Sequence, residues 1–180
     1  SDAGGRRDAM LVGSGELGRR IGGASFRQPI AGEALEGLSM KGGAYTPSPS
    51  ADCLRRSLYM FSKRGLIVPM MTTFDQCDTT MPTGRREVSI VPTQALTLLN
   101  NAWVGERADA CAASVLMDAS GREQRVELAW QRALGRRPSA AERSAAAAHV
   151  EAMAVEGDEQ AAWASLCLVL FNTNEFVFVD

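Results

Sequence analysis

From position 92 onward apolar residues recur at helical spacing. Ala95, Leu98, Leu99 and Ala102 form one side of an amphipathic turn, and Pro92 suits a first helical position, where its missing N–H is not needed. Asn100-Asn101 and Gly105 predict a break or bend, after which Val104, Ala108, Cys111 and Val115 carry the stripe to about Met117. Gly121 allows a reversal. Val126, Ala129, Trp130, Ala133 and Leu134 make the next apolar face, and Gly135 is placed as its C-terminal stop. Ser139-Ala140-Ala141-Glu142, directly after Pro138, has the form of a capping box and predicts a helix to about Glu156. Gly157 ends that helix and Asp158 can cap the last one, in which Trp163, Leu166, Cys167, Leu170 and Phe171 follow i, i+3, i+4, i+7, i+8. Such short connections predict antiparallel neighbours. The tail, NTNEFVFVD, alternates as a short strand or an extended segment that docks Phe176 and Phe178.

The first half is less regular. Residues 6–18 predict a short helix running into Gly13, Gly15 and Gly18. These glycines spell GxGxxG, but a dinucleotide fingerprint needs a helix and a second strand to follow. Residues 19–50 are instead rich in Gly, Pro and Ser without a helical period, so a frayed helix ending in glycines is the better reading. The run GGAYTPSPS reads as loop or linker. Residues 54–61 and the LIVPMM run predict one or two short strands, with Pro69 placing the second at an edge or ending it. The expected fold is mainly α: an irregular N-terminal half with at most two short strands, then a bundle of four or five antiparallel helices. Residues 1–50 form the opening helix and loop, 51–91 the irregular motif-bearing segment, and 92–180 the bundle.

Composition places the chain in the ordinary globular class, with 46% hydrophobic and 22% charged residues. No segment approaches the ~20 apolar residues of a membrane helix. The net charge of −2 argues against a nucleic-acid binder, yet the charge is unevenly spread. Residues 51–101 hold 6 basic and 4 acidic side chains, whereas 102–180 hold 7 basic and 12 acidic. Seventeen of the nineteen basic residues are Arg, a bias that genomic base composition explains as well as a need for bidentate anion recognition does.

Cysteines at 53, 77, 111 and 167 form no CxxC, which disfavours a zinc ribbon or covalently attached haem. Cys111 and Cys167 fall on apolar helical faces as small hydrophobes, while Cys53 and Cys77 lie in irregular chain and can pair in an oxidising compartment. His149 is the single histidine, and without a Ser or Cys pattern near it in sequence it reads as a half-buried helical residue. Trp103, Trp130 and Trp163 lie on or beside helical stripes and read as core rather than as a sugar platform. Asp75, in an apolar run between Arg doublets, is the carboxylate of interest. It pairs structurally with Arg56 or Arg86, or belongs to a polar site of Asp75, Arg85, Arg86, Gln94 and Asn100 for an anionic or hydroxyl-rich ligand. No second acidic residue stands at a spacing that demands a glycosidase-type pair.

Arg55-Arg56 with Tyr59, Lys63-Arg64, Pro69, Phe74-Asp75, and Arg85-Arg86 ahead of Pro92-Thr93-Gln94-Ala95-Leu96-Thr97-Leu98-Leu99-Asn100 carry a resemblance, joined by WQRALGRRPSAAE and NTNEFVFVD. Together they resemble the C-terminal planctomycete secreted-protein domain family, a domain of unknown function. Arg7-Asp8-Ala9-Met10 is similar to that family's opening helix. The resemblance implies a C-terminal fragment of a large exported protein, with N-terminal domains as partners and haem, if any, in a cytochrome-like domain outside this chain. Thr83-Gly84 stand where many members have a Cys before the arginine pair, which removes support for a metal or disulfide role there. The reading that follows is a non-catalytic interaction or scaffold module without its own cofactor or metal. The alternative is an enzyme or enzyme subunit on anionic polysaccharide, with Asp75 as acid/base and the arginines as anion clamps.

Overall fold

A computed structural model describes residues 3–30, 45–62, 99–154 and 158–177. Helix α1 (Ala3–Gly13) opens the chain, followed by a single helical turn α2 (Ser50–Cys53) and a 3-10 turn (Ser57–Tyr59). The bundle comprises α3 (Ala102–Asp118), α4 (Arg122–Leu134), α5 (Ala140–Met153) and α6 (Glu159–Phe171), closed by the short α7 (Asn174–Val177). The fold is therefore mainly helical, as the spacing of apolar residues predicts. Pro92 and most of the helix expected to follow it lie outside the described residues, although residues 99–100 are helical.

Each bundle helix begins and ends where local chemistry permits. The Asn101 side chain accepts from the N–H groups of Trp103 (2.9 Å) and Val104 (3.4 Å), which resolves the expected break as a helix start. Gly105 then lies inside α3, which runs unbroken from Ala102 to Asp118. Gly135, at φ 70°, ends α4 in the left-handed region. Ser139 and Glu142 complete the capping box, and Asp158 accepts from Ala161 N at 3.1 Å to start α6. Helix α5 is described as far as Met153, and residues 155–157 lie outside the described residues.

Helix α6 is the axis of the core. The expected stripe of Trp163, Leu166, Cys167, Leu170 and Phe171 is buried, but so are Ala162 and Ala164. The helix packs on α3, α4 and α5 at once, so small residues face the neighbours that its large ones do not. Arg125 near the start of α4 pairs with Glu159 at the start of α6 at 2.5 Å. At their other ends, Arg132 O and the Phe171 ring both approach Gly13, so α4 and α6 run in the same direction.

Helix α1 joins the irregular half to this bundle. It ends in a Schellman arrangement: Glu16 N donates to Leu11 O (2.9 Å), Gly15 N to Val12 O (3.0 Å), and Gly15 takes φ 78°. The GxGxxG glycines thus stop a helix. Gly13 has a separate role, because a Cβ there would stand 3.1 Å from Arg132 O and 3.2 Å from Phe171. Backbone cannot yield as a side chain can, so Gly13→Val is expected to cost about 2 kcal/mol, read as a lower denaturant midpoint at unchanged slope.

Two expected extended segments are something else. At residues 54–61 there is a 3-10 turn with isolated parallel bridges, Gly18 to Arg55 and Phe26 to Met60. Side chains of α1 occupy the groups a strand partner would need: Arg7 takes the carbonyls of Cys53 and Arg55, and Asp8 takes Ser57 N. The tail is helical at α7, where Thr173 O accepts from Phe176 N and Val177 N. Phe176 and Val177 are both buried, and consecutive residues face one core from a helical turn but not from a strand. Phe176 lies 5.2 Å from Phe171, while Phe178 is outside the described residues.

The capping box of α5 is tied to α7 by Arg136, which bonds Glu142 (2.6 and 2.9 Å) and Glu175 (both 2.6 Å). Hydrogen bonds from Arg136, then from Ser139, hold the Glu142 carboxyl well below the usual carboxylate range. Arg136 lowers Glu175 as well. Folded values below the unfolded ones mean stabilisation above the ordinary carboxylate range that is lost as pH falls. Melting temperature followed from neutral to acid pH is expected to fall more steeply in the natural chain than in Arg136→Ala. The difference should be small, because the groups are exposed and screened.

Candidate functional site

Three consecutive residues of α1 reach in different directions. Arg6 Nε donates to Val177 O at 2.8 Å, binding α1 to the end of the bundle. Arg7 turns its wholly buried guanidinium toward the irregular half. Its Nη1 donates to Arg55 O (2.9 Å) and Ser57 Oγ (3.1 Å), and its Nη2 to Cys53 O and Gln28 Oε1 (3.4 Å). Asp8 accepts at Oδ1 from both Ser57 N and Ser57 Oγ at 2.7 Å. One turn of helix thus fixes the loop through residues 53–57.

Aromatic rings complete the cluster. The Arg7 guanidinium lies over Phe26 (5.2 Å) and Trp103 (5.5 Å), and Arg107 lies 5.0 Å from the same Trp103 ring. Burial pulls Arg7 down to about 10, opposed mainly by the charge of Asp8, so it stays protonated at neutral pH. Arg107 Nε stands 2.8 Å from Glu16 Oε2, yet neither buried atom makes an aligned hydrogen bond. That contact is an ion pair by proximity. Arg55 donates to Ala24 O (2.9 Å) and Gly22 O (2.5 Å) and stacks on Tyr59 at 4.5 Å, while Tyr59 Oη accepts from Gly22 N at 3.0 Å.

The Nη donors of Arg7 and Arg55 are therefore spent largely on carbonyls and their faces on rings, while Nε of Arg7, Arg55 and Arg107 makes no aligned hydrogen bond among the described residues. A guanidinium cannot serve as a base, and Asp8 is engaged by Ser57 on the same oxygen that faces Arg7. This is a structural clamp. The same segments also expose Arg19, Arg20, Arg27 and Arg56, together with the aliphatic Ile21 and Leu58.

Of the residues expected to form a polar site, Asp75, Arg85, Arg86 and Gln94 lie outside the described residues, as does the expected partner Cys77. Arg56 is exposed with Nε 3.8 Å from Asp8, and Asn100 is an exposed helical residue. Among the described residues, Asp8 is the carboxylate beside Arg56. Cys53 is a buried free thiol directed at Arg27 O (3.5 Å) and Ser48 O (3.6 Å), and burial pushes it up. Cys111 and Cys167 are buried on facing helices, as their apolar positions predict.

The sequence reading missed Arg7, Asp8 and Arg107 as cluster members, and it missed Ser165 as a partner for His149. His149 Nε2 lies 2.9 Å from Ser165 Oγ, between α5 and α6. Both residues are mid-helix, where backbone N–H groups are committed to the helix and cannot stabilise an oxyanion. No carboxylate hydrogen-bonds the imidazole among the described residues. The pair is a bond between two helices. A weak signal existed, since both residues border the apolar stripes of neighbouring helices.

A family profile described as PSD1, protein of unknown function (DUF1553), matches residues 2–150. The chain belongs to this family. The PSD1 match takes in α1, the clamp and α3 to Val150 of α5, while α6 and α7 lie beyond it. No curated protein and no solved structure matches the chain. Among the described residues no group of three potential metal ligands is found, and no helix is long and apolar enough to cross a membrane.

Proposed function

We propose that this PSD1 domain is a non-catalytic interaction or scaffold module of a larger exported multidomain protein, and that its partners include N-terminal domains of that protein. The observation that carries the reading is the clamp. Four buried arginines, Arg6, Arg7, Arg55 and Arg107, bind segments of this chain to one another, while the segments at residues 19–27 and 56 expose four more. Charge on those segments is available for recognition, and the buried groups are tied up. Any haem belongs to a neighbouring domain in this reading, and nucleic acid is disfavoured by the overall acidic balance. Immunoblotting of fractionated source cells with an antibody to this domain tests it. A species well above 19.3 kDa in the exported fraction is expected, and a cytoplasmic band at that mass would overturn it.

A second reading, an enzyme or enzyme subunit on anionic polysaccharide, draws on the same exposed arginines, with Asp75 as acid/base. Reducing-end release from sulfated and uronic-acid polymers tests it. Product formation abolished by Asp75→Asn would establish this reading in place of the first.

A further inference from the structure

The two halves of the described chain differ in charge. Residues 3–30 and 45–62 carry seven arginines against Asp8, Glu16 and Asp52, whereas 99–154 and 158–177 carry seven arginines against ten acidic side chains. Much of the positive excess lies on one pair of segments. Residues 18–28 and 53–61 run alongside each other, joined by the bridges Gly18 to Arg55 and Phe26 to Met60 and by the Gly22–Tyr59 hydrogen bond. Ile21 precedes Gly22 and Leu58 precedes Tyr59, so both aliphatic side chains flank that one bond. They are 88% and 79% exposed.

Among the described residues the arginines around them have only weak carboxylate partners or none. Arg20 meets Asp52 at 3.8 Å and Arg56 meets Asp8 at 3.8 Å, both long and solvent-screened. Arg19 has no carboxylate partner among the described residues, and Arg27 rests on the Phe61 ring at 5.0 Å. Arginine forks match carboxylates bidentately. Exposed aliphatic side chains match apolar side chains and not sugar hydroxyls, while Tyr59 and Phe61, the rings that could stack on a sugar, are covered by Arg55 and Arg27.

We propose that Arg19, Arg20, Ile21, Arg27, Arg56 and Leu58 form a docking face for an acidic polypeptide segment carrying aliphatic side chains. The proposal rests on the interaction-module reading and specifies its surface and the chemistry of its partner. Carboxylates meet the guanidinium forks, and aliphatic groups cover Ile21 and Leu58. Complementary charge speeds the encounter and sets orientation, and burial of the aliphatic pair slows release.

The test is fluorescence anisotropy of the whole chain with three labelled probes: a glutamate-rich peptide with scattered leucines, poly-L-glutamate, and heparin. The leucine-bearing peptide is expected to bind most tightly. Arg20→Glu/Arg56→Glu should weaken it about tenfold or more, since each exposed pair is lost and replaced by repulsion. Ile21→Ser/Leu58→Ser should weaken only the leucine-bearing peptide, by a similar factor. These side chains are exposed, and unchanged thermal melting of both variants confirms that binding and not folding is read. No binding of the peptide, or binding indifferent to either variant, overturns the proposal. Tighter binding of heparin, insensitive to the aliphatic variant, does the same and assigns the face to anionic glycan. A large exported species on the immunoblot alongside such a failure would leave the module reading standing and remove only this face.

Discussion

Arg7→Met is expected to destabilise the domain by about 3–4 kcal/mol, lowering the melting temperature by about 10 °C for a chain of this size. Methionine is close to the arginine stem in length and apolar character, so the loss reads mainly the guanidinium with its hydrogen bonds and its contacts to Phe26 and Trp103. Replacing a buried ion with a hydrophobe is sometimes neutral, because desolvation of the charge is relieved. Here the carbonyls of Cys53 and Arg55 and the Gln28 amide oxygen would be left facing an apolar side chain. Unpaired buried acceptors each cost about 1–3 kcal/mol, which outweighs that relief. Arg7→Lys should fall between, since an ammonium keeps the charge but cannot span both sets of acceptors. Arg56→Ala, removing an exposed guanidinium 3.8 Å from Asp8, should change stability by less than about 0.5 kcal/mol. Denaturant titration of the three variants checks the order, and an Arg7→Met loss no greater than that of Arg56→Ala would refute the clamp.

The contrast between Arg7 and Arg56 shows what was legible in the sequence. Periodicity located α3, α4 and α6, each of which buries a stripe at regular spacing, and the Ser139–Glu142 box located α5; Asn101, Gly135 and Asp158 bound them with unambiguous chemistry. These are local facts, settled within four residues. The clamp is not local. Arg7 meets residues 28, 53, 55, 57 and 103, and no spacing rule signals that an arginine in a short helix will be the most buried charge among the described residues. The doublet at 55–56 enters the family resemblance as a unit, yet its members part: Arg55 is buried on carbonyls and Tyr59, and Arg56 faces solvent. Residues 54–61 failed as a strand for the same reason, since long-range side chains took the backbone groups of Cys53, Arg55 and Ser57. His149 read as an ordinary helical residue, which it is, but its bond to Ser165 required knowing that α5 and α6 are adjacent. The polar set around Asp75 lies outside the described residues, and of its members with Arg56, only Arg56 and Asn100 can be placed.

Trp163→Ala should be the most damaging single truncation in the bundle. Trp163 is 1% exposed and is the largest of the fully buried side chains among the described residues. Its helix contacts α3, α4 and α5 together, so no single neighbour can move in to fill the space without leaving another. A loss of about 4 kcal/mol is expected, from transfer of the indole and the cavity left behind. The buried thiols offer a readout beyond melting. Cys111 and Cys167 sit on the two helices at the centre of the core and Cys53 in the irregular half. In a Cys77→Ser background, global opening that becomes easier by about 4 kcal/mol should raise the labelling rate of Cys111 and Cys167 by about a thousandfold. If α1 makes one cooperative unit of both halves, through Arg6 to Val177 on one side and Arg7 to the 53–57 loop on the other, Cys53 should accelerate by the same factor. Cys53 labelling at its original rate while Cys111 and Cys167 accelerate would show that the irregular half holds itself together, and that α1 decorates the bundle instead of joining it.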